Sequence, residues 1–141
     1  MRQFSPATTR QAPVDRNPTK ISAHANAAVP GATIQDLAAY TCPASRRAEI
    51  RVAFVSGVVT TALAAGQVAD LEVLYQDNLP TTHIVVLKRL PTAAPVGTDR
   101  DVTVPGFFLA ATQAITTRVA TSAGAGVIFG AGGLEGVEYD A

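Results

Sequence analysis

Residues 48–55 read AEIRVAFV, and this stretch decides the fold class. In an extended chain Ile50, Val52 and Phe54 fall on one face, with Glu49, Arg51 and Ala53 on the other. That period of two belongs to a half-buried strand. Residues 68–76, VADLEVLYQ, repeat it: Leu71, Val73 and Tyr75 oppose Asp70, Glu72 and Gln76. The turn signal DNLP follows at 77–80. THIVVLKRL, 82–90, is β-branched and apolar on both faces, which predicts a central strand. PTAAPVGTDR, 91–100, is a loop, and DVTV, 101–104, a short strand stopped by Pro105-Gly106. Alternation returns over 113–121, QAITTRVAT. A loop around Gly124 and Gly126 leads to a strand at 127–129; Gly130, Gly132 and Gly133 make the next turn, and LEGVEYD, 134–140, closes the chain. LAAYT, 37–41, is the expected first strand.

Two segments, 57–68 and 107–120, read as strand or short helix. Strand is favoured, because strands flank both and because Thr116, Thr117 and Val119 lower helix propensity in the second. Short strands separated by closely spaced turns predict an all-β fold, an antiparallel β-sandwich or jelly-roll-like barrel. A doubly wound α/β fold is excluded, since strands do not alternate with long helices. The core is expected to be light, rich in Ala, Val and Thr and without tryptophan. Small side chains bury little area each, so packing against other subunits is expected to add stability.

Outward from the strands, composition shifts near residue 31. Residues 1–30 hold Pro6, Pro13, Pro18 and Pro30, and four cations against the single acid Asp15, a formal +3. No stretch there has period 2 or 3.6. Repeated X-Pro pairs favour extended conformations and forbid a continuous helix. The expectation is an extended N-terminal arm over residues 1–35 followed by a β-sandwich body over 36–141. Thirty extended residues reach at most ~100 Å, far enough to grip neighbouring subunits. The arm's expected contact residues are Arg2, Phe4, Arg10, Arg16 and Lys20.

Whole-chain composition narrows the function classes. Eleven basic and eleven acidic residues balance to zero, which removes the electrostatic case for nucleic-acid binding. Apolar runs are too short for a membrane-spanning helix, and MRQFSPATTR has no apolar core, so no secretory signal is expected. His24, His83 and Cys42 do not make a zinc set, and no metal or cofactor is expected. Cys42, before Pro43, has no base nearby and reads as a small buried residue. His83 reads as a strand-end or partly buried histidine. The glycines of 124–133 lack the lysine and helix start of a phosphate cradle and read as turn residues. Asp99, Asp101, Glu135, Glu138 and Asp140 lack calcium-loop spacing and read as loop and edge charges. No catalytic residue is expected. Arg46-Arg47 with Arg51 forms a basic cluster, either a solvated face or a partner for an acidic neighbour. Adjacent strand residues point opposite ways, so Phe107-Phe108 can both be buried only if both faces are covered. Arg46, Arg47, Phe107 and Phe108 are therefore the candidate subunit interface.

Several of these pieces together resemble small tailed-phage virion proteins. They are Tyr40-Thr41-Cys42-Pro43-Ala44 and the strand from Glu49, then Pro105-Gly106, Phe107 to Ala111 and Ile115 to Thr121, then the glycines of 124–133 and Gly136-Val137-Glu138-Tyr139. Thr112 departs from the pattern, which has glycine after the Leu-Ala-Ala turn. The resemblance implies a β-sandwich with structural duty on a phage particle, often as an oligomer and without catalytic residues. On that basis the expected function is a capsid decoration (cement) protein on the outer capsid surface, with the major capsid protein and copies of itself as partners. The alternative is a phage tail or fibre component, an adaptor or a host- or glycan-binding module.

Overall fold

A computed structural model describes residues 16–77 and 81–141. Arg2, Phe4 and Arg10 lie outside the described residues, as do three residues of the turn expected at 77–80. Eight strands follow in chain order: β1 Thr19–Val29, β2 Thr33–Thr41, β3 Arg46–Thr61, β4 Ala69–Gln76, β5 Thr82–Arg89, β6 Asp99–Leu109, β7 Ala114–Thr121 and β8 Val127–Asp140. They form two four-stranded sheets, ordered β1-β8-β3-β6 (sheet A) and β2-β7-β4-β5 (sheet B), with every pairing antiparallel. No helix occurs among the described residues. Eight strands in two packed sheets, with this order, make a double-sheet jelly roll.

The core lies between the sheets. Ile50, Val55 and Val59 of β3, Ile128 and Leu134 of β8 and Leu109 of β6 face Leu71 and Val73 of β4 and Ile115 and Val119 of β7. The largest fully buried side chains are Ile, Leu, Val and Thr, with no aromatic ring among them. This is the light core expected from the composition.

Several boundaries differ from the expectation, each for a tertiary reason. Residues 19–29 form β1, paired with β8 along its whole length from Thr19↔Glu138 to Val29↔Ile128. The second half of the expected arm 1–35 is thus sheet. Its alternating small residues, from Ala23 to Ala27, carry too weak a pattern to announce a strand without β8 beside it. Lys20, expected to be an arm contact, sits in β1. Residues 82–89 are not a central strand: β5 is the last strand of sheet B and is exposed along nearly all its length. Pro105-Gly106 does not stop β6, which runs on to Leu109. β6 is the last strand of sheet A, where a missing N–H removes no ladder bond. Gly130, Gly132 and Gly133 do not turn the chain but lie inside β8. Gly132 faces inward, where a Cβ would strike the Thr117 hydroxyl; at Gly133, on the outer face, it would strike the Phe54 ring. The two ambiguous segments resolve as strand then loop (β3 to Thr61) and as strand, turn, strand (β6, 110–113, β7). Thr112, where the resembled pattern has glycine, adopts φ 69°, the left-handed region that glycine favours.

Candidate interaction surface

Two buried polar side chains fix the loops and register that shape the surface. Gln67 is 2% exposed. Its Oε1 accepts from the Ala64 N–H at 3.0 Å and the Gly126 N–H at 2.9 Å, and its Nε2 donates to the Gly126 carbonyl at 3.1 Å. The Gly126 N–H is therefore spent on structure and not offered to a ligand. Thr117 is fully buried; its hydroxyl accepts from the Ala38 N–H at 2.9 Å and donates to the Ala38 carbonyl at 3.0 Å. It thereby mends the ladder where β2 bulges between Asp36 and Ala39.

At the foot of sheet A, Arg46 ties both ends of the described chain together. Nη1 donates to Asp140 Oδ1 at 2.7 Å, Nε to Glu138 Oε2 at 3.4 Å, and Nη2 to the Asn17 carbonyl at 2.9 Å and Thr19 Oγ1 at 3.1 Å. Tyr40 donates to the same Glu138 oxygen at 3.1 Å. Burial first, and that bond second, push the Tyr40 phenol well above its ordinary value. The Cys42 thiol is buried, donates to the Arg46 carbonyl at 3.3 Å, and is pushed up mainly by burial. All three guanidinium nitrogens of Arg46 are engaged inside the chain, so the basic pair expected at an interface is split. Arg47 points the other way, exposed and opposite Tyr139. The Asp140 N–H donates to the Arg16 carbonyl at 2.7 Å. This adds one backbone bond beyond the Thr19 end of the β1–β8 pairing.

Both histidines sit at edges. His24 on β1 meets Glu135 Oε2 at 2.6 Å, and Ser22 donates to the same oxygen at 2.9 Å. The acid comes from β8, over a hundred residues away, so local spacing could not reveal it. Ser22 addresses the carboxylate and not the imidazole, so the trio does not activate a nucleophile. The His24 bond, then the Ser22 bond, hold the Glu135 carboxyl below its ordinary value. His83, the second residue of β5, pairs with Asp77 Oδ2 at 3.0 Å and stacks on Tyr75 with ring centroids 5.9 Å apart. Asp99 and Asp101 lie exposed on β6. Among the described residues no three of His, Cys, Asp or Glu converge as metal ligands.

What remains is apolar. Edge strands β5 and β6 flank one side of the sandwich. Ile84, Val85 and Leu87 of β5 are exposed, and Phe108 of β6 is 70% exposed. Phe107 and Phe108 point opposite ways: Phe107 packs on the core, while Phe108 stands outside. Val85 is the extra residue of a bulge, since Val73 pairs with Val86 and Leu74 with Ile84. Between the strands lies an open cleft of about 440 Å³ lined by Tyr75, Val85, Val104, Pro105, Phe107 and Phe108. On the outer face of sheet B, Glu72 is 9% exposed and makes no hydrogen bond among the described residues; burial pushes its carboxyl up. Sequence reasoning found the two phenylalanines. It missed β5 as surface, because a strand apolar on both faces reads as interior.

The class defined by this geometry is an eight-stranded antiparallel jelly roll with an apolar cleft on one side. No known protein family matches the chain, and no curated protein matches it. Among solved structures it is similar to infectious bursal disease virus VP2 of a subviral particle, at 12% identity over 99% of this chain and 38% of that one, TM-score 0.46. Infectious bursal virus derived T=1 particles give 14% identity over 99% and 36%, TM-score 0.47. A protein of Bacillus endospore appendages, a family of disulfide-linked pili, gives 15% identity over 94% and 98%, TM-score 0.40. The chain spans less than two-fifths of the length of these viral chains.

Proposed function

We propose that this chain is a structural, self-associating protein of a virion, a decoration or cement protein that binds the outer capsid surface and bridges subunits there. The observation that carries the reading is the apolar β5–β6 side. A strand apolar on both faces has been placed at an edge, where a solitary soluble domain would place charge or cover. Contact with another subunit gives those side chains the burial that the fold withholds. The resemblance of residues 40–139 to small tailed-phage virion proteins supplies the setting.

In mechanism, burial of the β5–β6 side against the major capsid protein or a sister copy removes apolar area from water. The arm adds reach. Exposed ion pairs from Arg10 or Arg16 contribute only about 0–1 kcal/mol each, so burial and repetition over many copies dominate. The test uses particles prepared with and without the chain, heated while genome release is followed with a DNA-binding dye. The expected result is release at a higher temperature with the chain bound. Equal release temperatures, or labelling confined to the tail, overturn the decoration reading.

A further inference from the structure

The outer face of sheet A has no layer over it among the described residues, and its charges are sorted by end. At the foot, where β3 begins and β8 ends, stand Lys20, Arg47 and Arg51, with Glu49 and Glu135. At the head stand Asp99 and Asp101 of β6, beside Val58 of β3. Asp99 pairs with Val58 and Phe108 with Glu49, so head and foot lie ~30 Å apart.

Ion pairing inside the chain leaves this sorting uncancelled. Among the described residues every acid except Glu72, Asp99 and Asp101 is paired with a basic side chain; at the foot, Glu49 holds Arg51 and Glu135 holds His24. Glu72 belongs to sheet B. Arg100, between the two head acids, turns Nη1 to the Asp99 carbonyl oxygen at 2.7 Å. Lys20 and Arg47 have no ion pair among the described residues. One face thus carries unmatched cations at one end and two unmatched carboxylates at the other.

Shape follows the same division. The foot presents Arg47 beside Phe108, the most exposed large apolar side chain of the described fold. The head presents an open cleft of about 350 Å³ lined by Val58, Asp99, Asp101 and the exposed Phe129 ring. Its chemistry suits a guanidinium: carboxylates accept the N–H groups, and a ring meets the flat face. Between the ends, Val52, Phe54 and Val137 are half-buried, and Ala131 and Gly133 keep the surface low.

We propose that two copies pack sheet A against sheet A about a two-fold axis that lies between the sheets and crosses the strands, each placing Arg47 in the Asp99–Asp101 cleft of the other. This rests on the reading of the chain as a self-associating subunit and names the contact. Foot-to-head packing makes the contact twice and closes at two copies. Foot-to-foot packing sets cation against cation and acid against acid, which is repulsive at both ends. Four strands at about 4.8 Å spacing offer on the order of 600 Å² per copy, enough for a stable pair. In this arrangement β6 lies over β6, so the apolar β5–β6 sides of both copies face one way and a single surface receives both.

The experiment uses the full chain alone, without capsids, so it can fail while the decoration reading stands, and the particle-heating test can fail while this one stands. Sedimentation compares wild type, Arg47→Glu, and the double variant Asp99→Lys with Asp101→Lys. Each variant by itself opposes like charges at both contacts. Self-association should weaken tenfold or more, with circular dichroism and the unfolding temperature of the dilute chain unchanged. An equimolar mixture of the two variants should associate as tightly as wild type, because in a mixed pair both contacts again join opposite charges. In a second arm, a photo-crosslinking amino acid replaces Phe129, and isotope-labelled and unlabelled chains are mixed and irradiated. Links between labelled and unlabelled chains at peptides bearing Arg47, Phe108 or Tyr139 are expected. A wild-type chain that stays monomeric at high concentration, a mixture no tighter than its components, or cross-links that stay within one chain or land on residues 1–15 overturn the proposal.

Discussion

The two sides of the sandwich follow opposite rules. On one, β1 and β2 are joined by a short turn and pack against each other, and β1's outward positions are Lys20, Ser22, His24 and Asn26. Polar side chains there engage β8, as in the His24–Glu135–Ser22 trio. That side is held by its own chain, with Ile34 of β2 its one large exposed apolar side chain on an edge strand among the described residues. On the other side, β5 and β6 are joined by a long excursion, residues 90–98, and their edges carry Ile84, Val85, Leu87 and Phe108. Both sides face the same solvent, so the difference is not a folding requirement. Edge strands left apolar and uncovered are an aggregation hazard in a solitary domain. The bulge at Val85 limits indiscriminate strand pairing, while the cleft beside it restricts what can bind.

The comparison can be broken by mutation. The largest effect is expected on the β1–β2 side. Arg46→Ala leaves Glu138 and Asp140 without their cation and unties Asn17 and Thr19, so thermal unfolding should move down by roughly 5–10 °C. Arg47→Ala, one residue away but exposed, should move it very little. Equal effects would show that the latch does not set the stability of that corner.

Glu72 gives an intermediate and opposite effect on sheet B. Its folded-state pKa is raised by burial, so the native state binds more protons than the unfolded chain as pH passes through that range. The charged carboxylate destabilises the fold above the raised pKa, and the penalty disappears below the ordinary Glu value. Glu72→Leu, beside Leu74 and opposite Leu87, should raise stability by about 1 kcal/mol at pH 7 in denaturant titrations. The gain should shrink on acidification through the carboxylate range. A pH-independent gain would mean that packing rather than charge is responsible.

The smallest effect belongs to Glu135, whose carboxyl is lowered by His24 and Ser22. Its stabilisation is present above the ordinary Glu pKa and is lost as pH falls through the lowered one. Glu135→Gln should therefore match wild type at low pH and fall slightly below it near neutrality, measured by thermal melts across pH.

The amino-acid order by itself determined the class of fold. Period-two alternation at 68–76 and 113–121 survives in any context, because the two faces of a strand must separate oil from water. At 48–55 the strand character holds, but a register shift between Ile50 and Val52 puts Ala53 and Val55, not Val52 and Phe54, into the core. It also marked Phe107-Phe108 as a pair that one core could not cover, and Cys42 as interior. Tertiary structure alone decided which strands are edges. Burial on both faces and exposure to a partner demand the same apolar residues, so THIVVLKRL reads alike at the centre or the rim. Only packing could show that 19–29 is a strand, since its alanines gain their place from β8, and that Gly132 and Gly133 make room for Thr117 and Phe54 rather than bend the chain. The acidic partners of Arg46 and His24 lie about a hundred residues away in sequence, a distance across which local pattern carries no signal and only the closed sandwich brings charge to charge.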